Sequence, residues 1–200
     1  MLVEIDPGKK EKHDRRAVLL DRDGVILEER GYLSKPEDVT LIRGAAEAIR
    51  KMAGLGLKVV VVTNQSGIGR GFFTGEDYRR VKEKMDALLA PLGAKTDAEY
   101  FCPHAPWEGC TCRKPNPGLA RLAAEELGLS LAGSFVVGDK RSDMEMARAI
   151  GAKSILVRTG YGCQTEREGE PIWDAAAQDI GEAAEIIARW VEGRGEGERG

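Results

Sequence analysis

The sequence predicts an α/β protein built on one parallel sheet with helices wound on both faces, and three observations carry that prediction. Short uninterrupted apolar runs, Ala-Val-Leu-Leu at 17–20 and four successive valines within 58–63, suit strands buried on both sides. Stretches with apolar residues three or four apart separate these runs, the alternation expected of a parallel sheet. Each run stops abruptly in polar or charged residues, as strands do where their carboxyl ends face a ligand crevice.

Two hundred residues, 42% of them hydrophobic, suffice for one such domain with a sizeable core. The expected organisation is a polar arm over 1–15, a single domain over 16–192 and a polar tail over 193–200. A net charge of −3 provides no broad basic field for a nucleic-acid backbone, so the expected partner is a small molecule gripped by a few local groups. Nor does any apolar stretch approach the roughly 20 residues that cross a bilayer, and the charged N-terminus lacks the apolar core of a secretory signal. A cytoplasmic monomer without membrane or nucleic-acid partners is the expectation.

In chain order, 1–15 carries Lys9, Lys10, Lys12 and Arg15 diluted by Glu4, Asp6, Glu11 and Asp14, a solvated arm rather than a nucleic-acid grip. The strand from Ala17 delivers Asp21 and Asp23 to a rim, and Gly24 lets the backbone turn away. An Asp-x-Asp pair is common in solvated turns, so its weight comes from what accompanies it. Residues 27–40 lack a helical period and read as a loop beside that rim. Ala45, Ala48, Ile49 and Met52 mark a helix over 44–56 leading into the strand 58–63, which ends in Thr63-Asn64-Gln65-Ser66 and a glycine-rich loop able to cradle phosphate. Thr74 is a plausible N-cap for a long helix whose Tyr78, Val81, Met85, Leu88, Leu89 and Leu92 are expected in the core.

A third strand, 98–101, runs into Cys102-Pro-His104 and, further on, Cys110-Thr-Cys112. Three thiols and one imidazole within eleven residues match a tetrahedral Zn2+ site, because soft thiolates and imidazole suit this ion. Clustering of this kind in an intracellular chain favours metal over a disulfide framework, while Cys163 stands apart as an incidental thiol. Arg113 and Lys114 follow the last thiol directly. Pro115 and Pro117 open a helix through Leu119, Leu122, Ala123 and Leu127. A fourth strand over 134–137 ends in Gly138-Asp139-Lys140-Arg141-Ser142-Asp143 before another helix. A fifth strand over 153–157, a glycine-containing loop over 158–172 and an amphipathic helix over 183–191 close the fold.

The topology brings Asp21, Asp23, Thr63, Lys114 and Asp139 to one crevice although they span more than half the chain. Carboxylates gathered there would repel one another without a cation, and Mg2+ takes hard oxygen ligands together with substrate phosphate.

Taken in order, these motifs resemble those of the haloacid dehalogenase superfamily of phosphatases over residues 17 to about 160: Leu20-Asp21-Arg22-Asp23-Gly24-Val25, Thr63-Asn64, Lys114, and Gly138 through Asp143. The zinc loop over 102–112, Arg113-Lys114-Pro115 and the lack of a cap-forming insertion resemble the branch containing histidinol-phosphate and heptose-bisphosphate phosphatases. The resemblance implies a Rossmann-like haloacid dehalogenase fold without a large cap. It implies Mg2+ held by Asp21, Asp139 and the main-chain carbonyl of Asp23, with structural Zn2+ on Cys102, His104, Cys110 and Cys112. Asp21 becomes the nucleophile and Asp23 the acid/base, while Thr63 and Lys114 stabilise the transferring phosphoryl group. Expected substrate contacts are Glu29, Arg30, Gly31, Tyr32, Asn64, Gln65, Ser66, Arg113 and Lys140. The implied substrate is a phosphorylated sugar, D-glycero-D-manno-heptose 1,7-bisphosphate losing its 7-phosphate on the route to nucleotide-activated heptose, with histidinol phosphate as the alternative. Gly31-Tyr32 resembles the heptose enzymes, although Glu29-Arg30 replaces their usual Asp-His pair; the Glu-Pro pair usual in histidinol phosphatases is missing from this loop.

Overall fold

A computed structural model describes residues 15–193. The expected polar arm and tail lie outside the described residues, apart from Arg15 and Gly193. The described strands are β1 (Ala17–Leu20), β2 (Lys58–Asn64), β3 (Ala98–Cys102), β4 (Phe135–Gly138), β5 (Lys153–Val157) and β6 (Ala175–Ala177). They form one sheet in the order β3-β2-β1-β4-β5-β6, with every neighbouring pair parallel. From β1 the chain builds outward to β3 on one side and then from β4 to β6 on the other. The switch point, where crossovers diverge and open a crevice, therefore lies between β1 and β4.

Alternate residues of the central strands feed two cores. Val18, Leu20, Val59, Val61, Val137 and Ile155 pack with α1 (Ala45–Gly54), α3 (Gly75–Leu89) and α7 (Ile180–Val191). On the opposite face, Ala17, Leu19, Val60, Val62 and Val136 meet α4 (Gly118–Leu127) and α5 (Arg141–Ile150). Burial on both faces is why these strands read as continuous apolar runs.

Four local expectations change. Helix α3 begins at the Thr74 cap, whose hydroxyl accepts from the Asp77 N–H at 3.2 Å, but ends at Leu89. Pro91 supplies no N–H to continue the ladder, so Ala90–Leu92 tightens into a 3-10 turn and Leu92 is 46% exposed instead of buried. The glycine-rich loop after β2 contains a helical turn, α2 (Ser66–Gly69), and the loop over 158–172 contains α6 (Gly162–Arg167). Edge strand β6 is a run of three alanines, a composition that local propensity assigns to helix and that pairing with β5 overrides. Helix α7 starts three residues before the expected 183 because Asp179 accepts from the Glu182 N–H at 3.0 Å.

Candidate active site

Asp21 follows β1 directly and Asp139 follows β4, so the switch point places two carboxylates side by side. Asp143, in the first turn of α5, joins them; one oxygen from each of the three acids lies within 4.8 Å of the others. All three are buried, as is Lys114 at 3% exposure. The Lys114 ammonium donates to the Val62 carbonyl at 2.7 Å and forms ion pairs with Asp143 Oδ1 at 2.6 Å and Asp21 Oδ1 at 3.0 Å. Burial alone would lower the Lys114 pKa, but Asp143 and Asp21 outweigh it and hold the group charged. Burial likewise pushes Asp21 upward, and Lys114 and Lys140 reverse this, leaving Asp21 below the usual carboxylate range.

Asp139 has no equivalent relief. Burial, followed by repulsion from Asp21, raises its pKa to about 8. Its Oδ2 accepts the Tyr161 N–H at 2.8 Å, whereas buried Oδ1 has no hydrogen-bond partner and lies 3.7 Å from Lys140 Nζ. Gly24 (φ +87°) and Gly160 (φ +56°) flank this carboxylate so closely that a Cβ on either would come within 2.3 Å of Oδ2. Three clustered carboxyl groups share the ammonium groups of Lys114 and Lys140, and Lys140 lies closer to Glu29, at 3.1 Å, than to Asp139, so the acids outnumber their cations. An orphaned buried oxygen and hard anionic donors suit a divalent cation such as Mg2+.

A cavity of about 340 Å³ opens onto this cluster. Asp23, Thr63, Gln65 and Lys114 form its inner wall; Glu29, Gly31, Tyr32, Ser66, Arg113 and Lys140 also line it. Arg30 does not line it; its guanidinium pairs with Glu28 at 2.6 Å on the exposed lip. Asn64 reaches the cavity wall, but its side chain clasps the Lys114 backbone, accepting from N–H at 3.0 Å and donating to the carbonyl at 3.1 Å. Gln65 Nε2 donates to Asp23 Oδ2 and Thr63 Oγ1, both at 2.9 Å. Glu29 accepts from the Gly31 N–H at 2.6 Å and from Lys140 Nζ at 3.1 Å, tying the first loop to the segment after β4.

Asp143 and Tyr161 were not among the predicted site residues. Asp143 was visible in the sequence as the second acid after β4, four residues beyond Asp139. Tyr161, whose N–H anchors Asp139 and whose ring lies 4.8 Å from Lys140 Nζ, follows β5 in a segment marked in the sequence only by its glycines.

The second cluster sits at the end of β3. Cys102 closes the strand, and the following loop returns His104, Cys110 and Cys112 to it. Sulfur and Nδ1 atoms are separated by 3.2 Å (His104–Cys112), 3.3 Å (Cys112–Cys102) and 3.5 Å (Cys102–Cys110 and Cys102–His104). Tetrahedral Zn2+ with sulfur at about 2.3 Å requires sulfur–sulfur edges of about 3.8 Å, close to this spacing. Burial raises the Cys102 thiol to about 12, a cost that a coordinating dication would reverse. Around this cluster the Gln65 N–H donates to the Cys102 carbonyl and the Gly69 N–H to the Pro103 carbonyl, each at 2.8 Å. The soft-ligand loop thus supports the segment after β2 as well as Arg113 and Lys114.

Residues 111–183 match the family model described as HAD-hydrolase-like. The chain is 43% identical over 166 residues to a D-glycero-beta-D-manno-heptose-1,7-bisphosphate 7-phosphatase of Yersinia pestis, covering 78% of this chain and 88% of that protein. With the enzyme of the same name from Helicobacter pylori strain J99 the identity is 46% over 130 residues, covering 64% and 75% of the two chains. A crystal structure of D,D-heptose 1,7-bisphosphate phosphatase from B. bronchiseptica, complexed with magnesium and phosphate, superposes with a TM-score of 0.82 at 34% identity, covering 88% of this chain and 99% of that one. Among the described residues, no helix is long and apolar enough to cross a membrane.

Proposed function

The chain belongs to the haloacid dehalogenase-like hydrolases and is a phosphoric monoester hydrolase; from that premise we propose that it removes the 7-phosphate of D-glycero-D-manno-heptose 1,7-bisphosphate, with Mg2+ in the carboxylate cluster and Zn2+ in the thiolate cluster. Convergence of Asp21, Asp23 and Lys114 on one cavity at the switch point, with Asp139 clustered against Asp21, is the observation that carries this reading. Its place would be the supply of activated heptose for surface glycans.

Asp21 and Asp139 would hold Mg2+, with Asp143 neutralised by Lys114 beside them. When bound, the ion supplies positive charge that offsets repulsion between carboxylate and phosphate. Lys114 Nζ at 3.0 Å and the Arg22 N–H at 2.8 Å hold Asp21 Oδ1 and so orient the carboxylate for attack on phosphorus. That attack forms the aspartyl-phosphate bond and breaks the bond to the sugar oxygen, which takes a proton from Asp23. Water then attacks the same phosphorus and gives a proton to Asp23; the phosphorus–aspartate bond breaks, Asp21 is restored and inorganic phosphate leaves. Thr63 and Lys114 steady the phosphoryl oxygens, so catalysis is chiefly positioning and charge stabilisation.

The relatives' names specify the β anomer. Phosphate release with Mg2+ from both anomers of the heptose bisphosphate and from histidinol phosphate tests the assignment. The expected result is fastest turnover of a heptose bisphosphate, with kcat/KM at least about tenfold above histidinol phosphate. Preference for histidinol phosphate would overturn the substrate while leaving the phosphatase class intact.

A further inference from the structure

Arg22 stands between the two motif aspartates, and its side chain is among the largest fully buried ones, at 0% exposure. Buried guanidinium groups are costly unless paired, so a fold that keeps one here has a use for it. It does not line the cavity; its guanidinium carbon lies 5.2 Å from the ring centroid of Tyr78 on α3. The Tyr78 hydroxyl in turn donates to Glu99 on β3. From this position Nε reaches Asp23 Oδ1 at 3.2 Å, and Nη2 reaches Oδ1 at 3.2 Å and Oδ2 at 3.0 Å. Gln65 adds the contact to Oδ2 at 2.9 Å. Both oxygens of Asp23 are therefore held from inside the protein while the residue lines the cavity on its other side.

We propose that Arg22 is the positioning residue for proton exchange at Asp23: its fork fixes the carboxylate plane and so the approach of Asp23 to the leaving sugar oxygen and then to water. Lysine in its place would keep the charge and lose the two-point grip. The inference rests on the reading of Asp23 as acid/base, and a second variant separates the two.

p-Nitrophenyl phosphate releases a leaving group that needs no proton, whereas a sugar oxygen requires one. With Mg2+ saturating, Asp23→Asn should give a burst of about one equivalent of nitrophenolate, then stall as phospho-enzyme, with no turnover of heptose bisphosphate. Arg22→Lys should show the same signature in part: a burst rate within about threefold of the parent, with steady-state turnover of the aryl ester and of heptose bisphosphate down at least about tenfold. Arg22→Met should deepen this pattern, and if it fails to fold, Arg22→Lys carries the test alongside its melting curve. A common factor of loss in burst and steady state, or parental kinetics in Arg22→Lys, would overturn the role of Arg22. An Asp23→Asn enzyme without burst and stall would instead overturn the reading of Asp23.

Discussion

The two ligand clusters differ in where their residues come from. Cys102, His104, Cys110 and Cys112 lie within eleven residues of chain at the end of one strand. Asp21, Lys114, Asp139 and Asp143 come from three separate segments, assembled by the order of strands around the switch point. The first set offers three soft thiols and an imidazole and closes on itself. The second offers hard oxygens beside a cavity, with a lysine among the acids and the Asp139 Oδ1 and Asp143 Oδ1 oxygens without hydrogen-bond partners. A local, closed cluster can be expected to hold structure; a distributed, open and charge-deficient one has room for substrate and a reason to attract a cation. Variants at each should therefore fail in different ways.

Lys114→Ala should cause the largest combined loss, because it removes the counter-charge to Asp21 and Asp143 in a buried setting. Breaking a buried pair in this way costs about 3–5 kcal/mol, which for a chain of this size lowers Tm by on the order of 10 °C. Phosphatase activity should fall by at least about a thousandfold as the phosphoryl group loses its cation. Calorimetry and phosphate release together check this. A variant that melts with the parent would mean the three acids are neutralised by something other than Lys114.

Asp21→Asn sharpens the contrast from the other side. The amide is nearly isosteric but is no nucleophile, so turnover should fall by at least about a thousandfold while Tm stays within a few degrees. Substantial phosphatase activity with Mg2+ would exclude the covalent route through Asp21.

The same division explains how much could be read before the structure. The thiolate cluster is legible from spacing alone, because a ligand set in one loop is a property of a short string. The aspartates become legible only once β1, β2 and β4 are recognised as parallel strands, since nothing local connects Asp21 to Asp139. What escaped recognition lacked even that support. Tyr161 contributes a backbone N–H, which any residue carries, and β6 is three alanines whose strand state is imposed by β5. Asn64 was legible as a strand-end polar residue, but its clasp on the Lys114 backbone depends on a segment fifty residues away.

Cys110→Ser should produce the converse of Asp21→Asn. Losing one of four closing ligands should lower bound zinc and reduce Tm by several degrees or more, with turnover falling about tenfold under saturating Mg2+. The activity loss would be indirect, arriving through the two backbone bonds to Gln65 and Gly69 and through the segment that carries Lys114. Bound zinc, melting and kcat measured on one preparation decide the matter. A zinc-free variant as stable and active as the parent would remove the structural role.

The smallest combined loss of stability and activity is expected at Arg113, the residue that belongs to both regions. It follows Cys112 directly, yet it lines the cavity at the carboxylate cluster as well as a second cavity of about 270 Å³ against the cysteine-rich loop. Its Nη1 is buried without a hydrogen-bond partner, so the closed cluster holds out a guanidinium with binding capacity to spare. A second phosphate on the substrate would fit that capacity, because a planar fork binds two phosphate oxygens at once. Arg113→Lys keeps the charge and loses the fork. Its kcat/KM should fall about ten- to thirtyfold on heptose bisphosphate and no more than about threefold on a small monoester, with Tm unchanged. Equal losses on both substrates would place Arg113 in general support of the cavity; a selective loss would show that the loop built for stability also carries the recognition of the phosphate that stays.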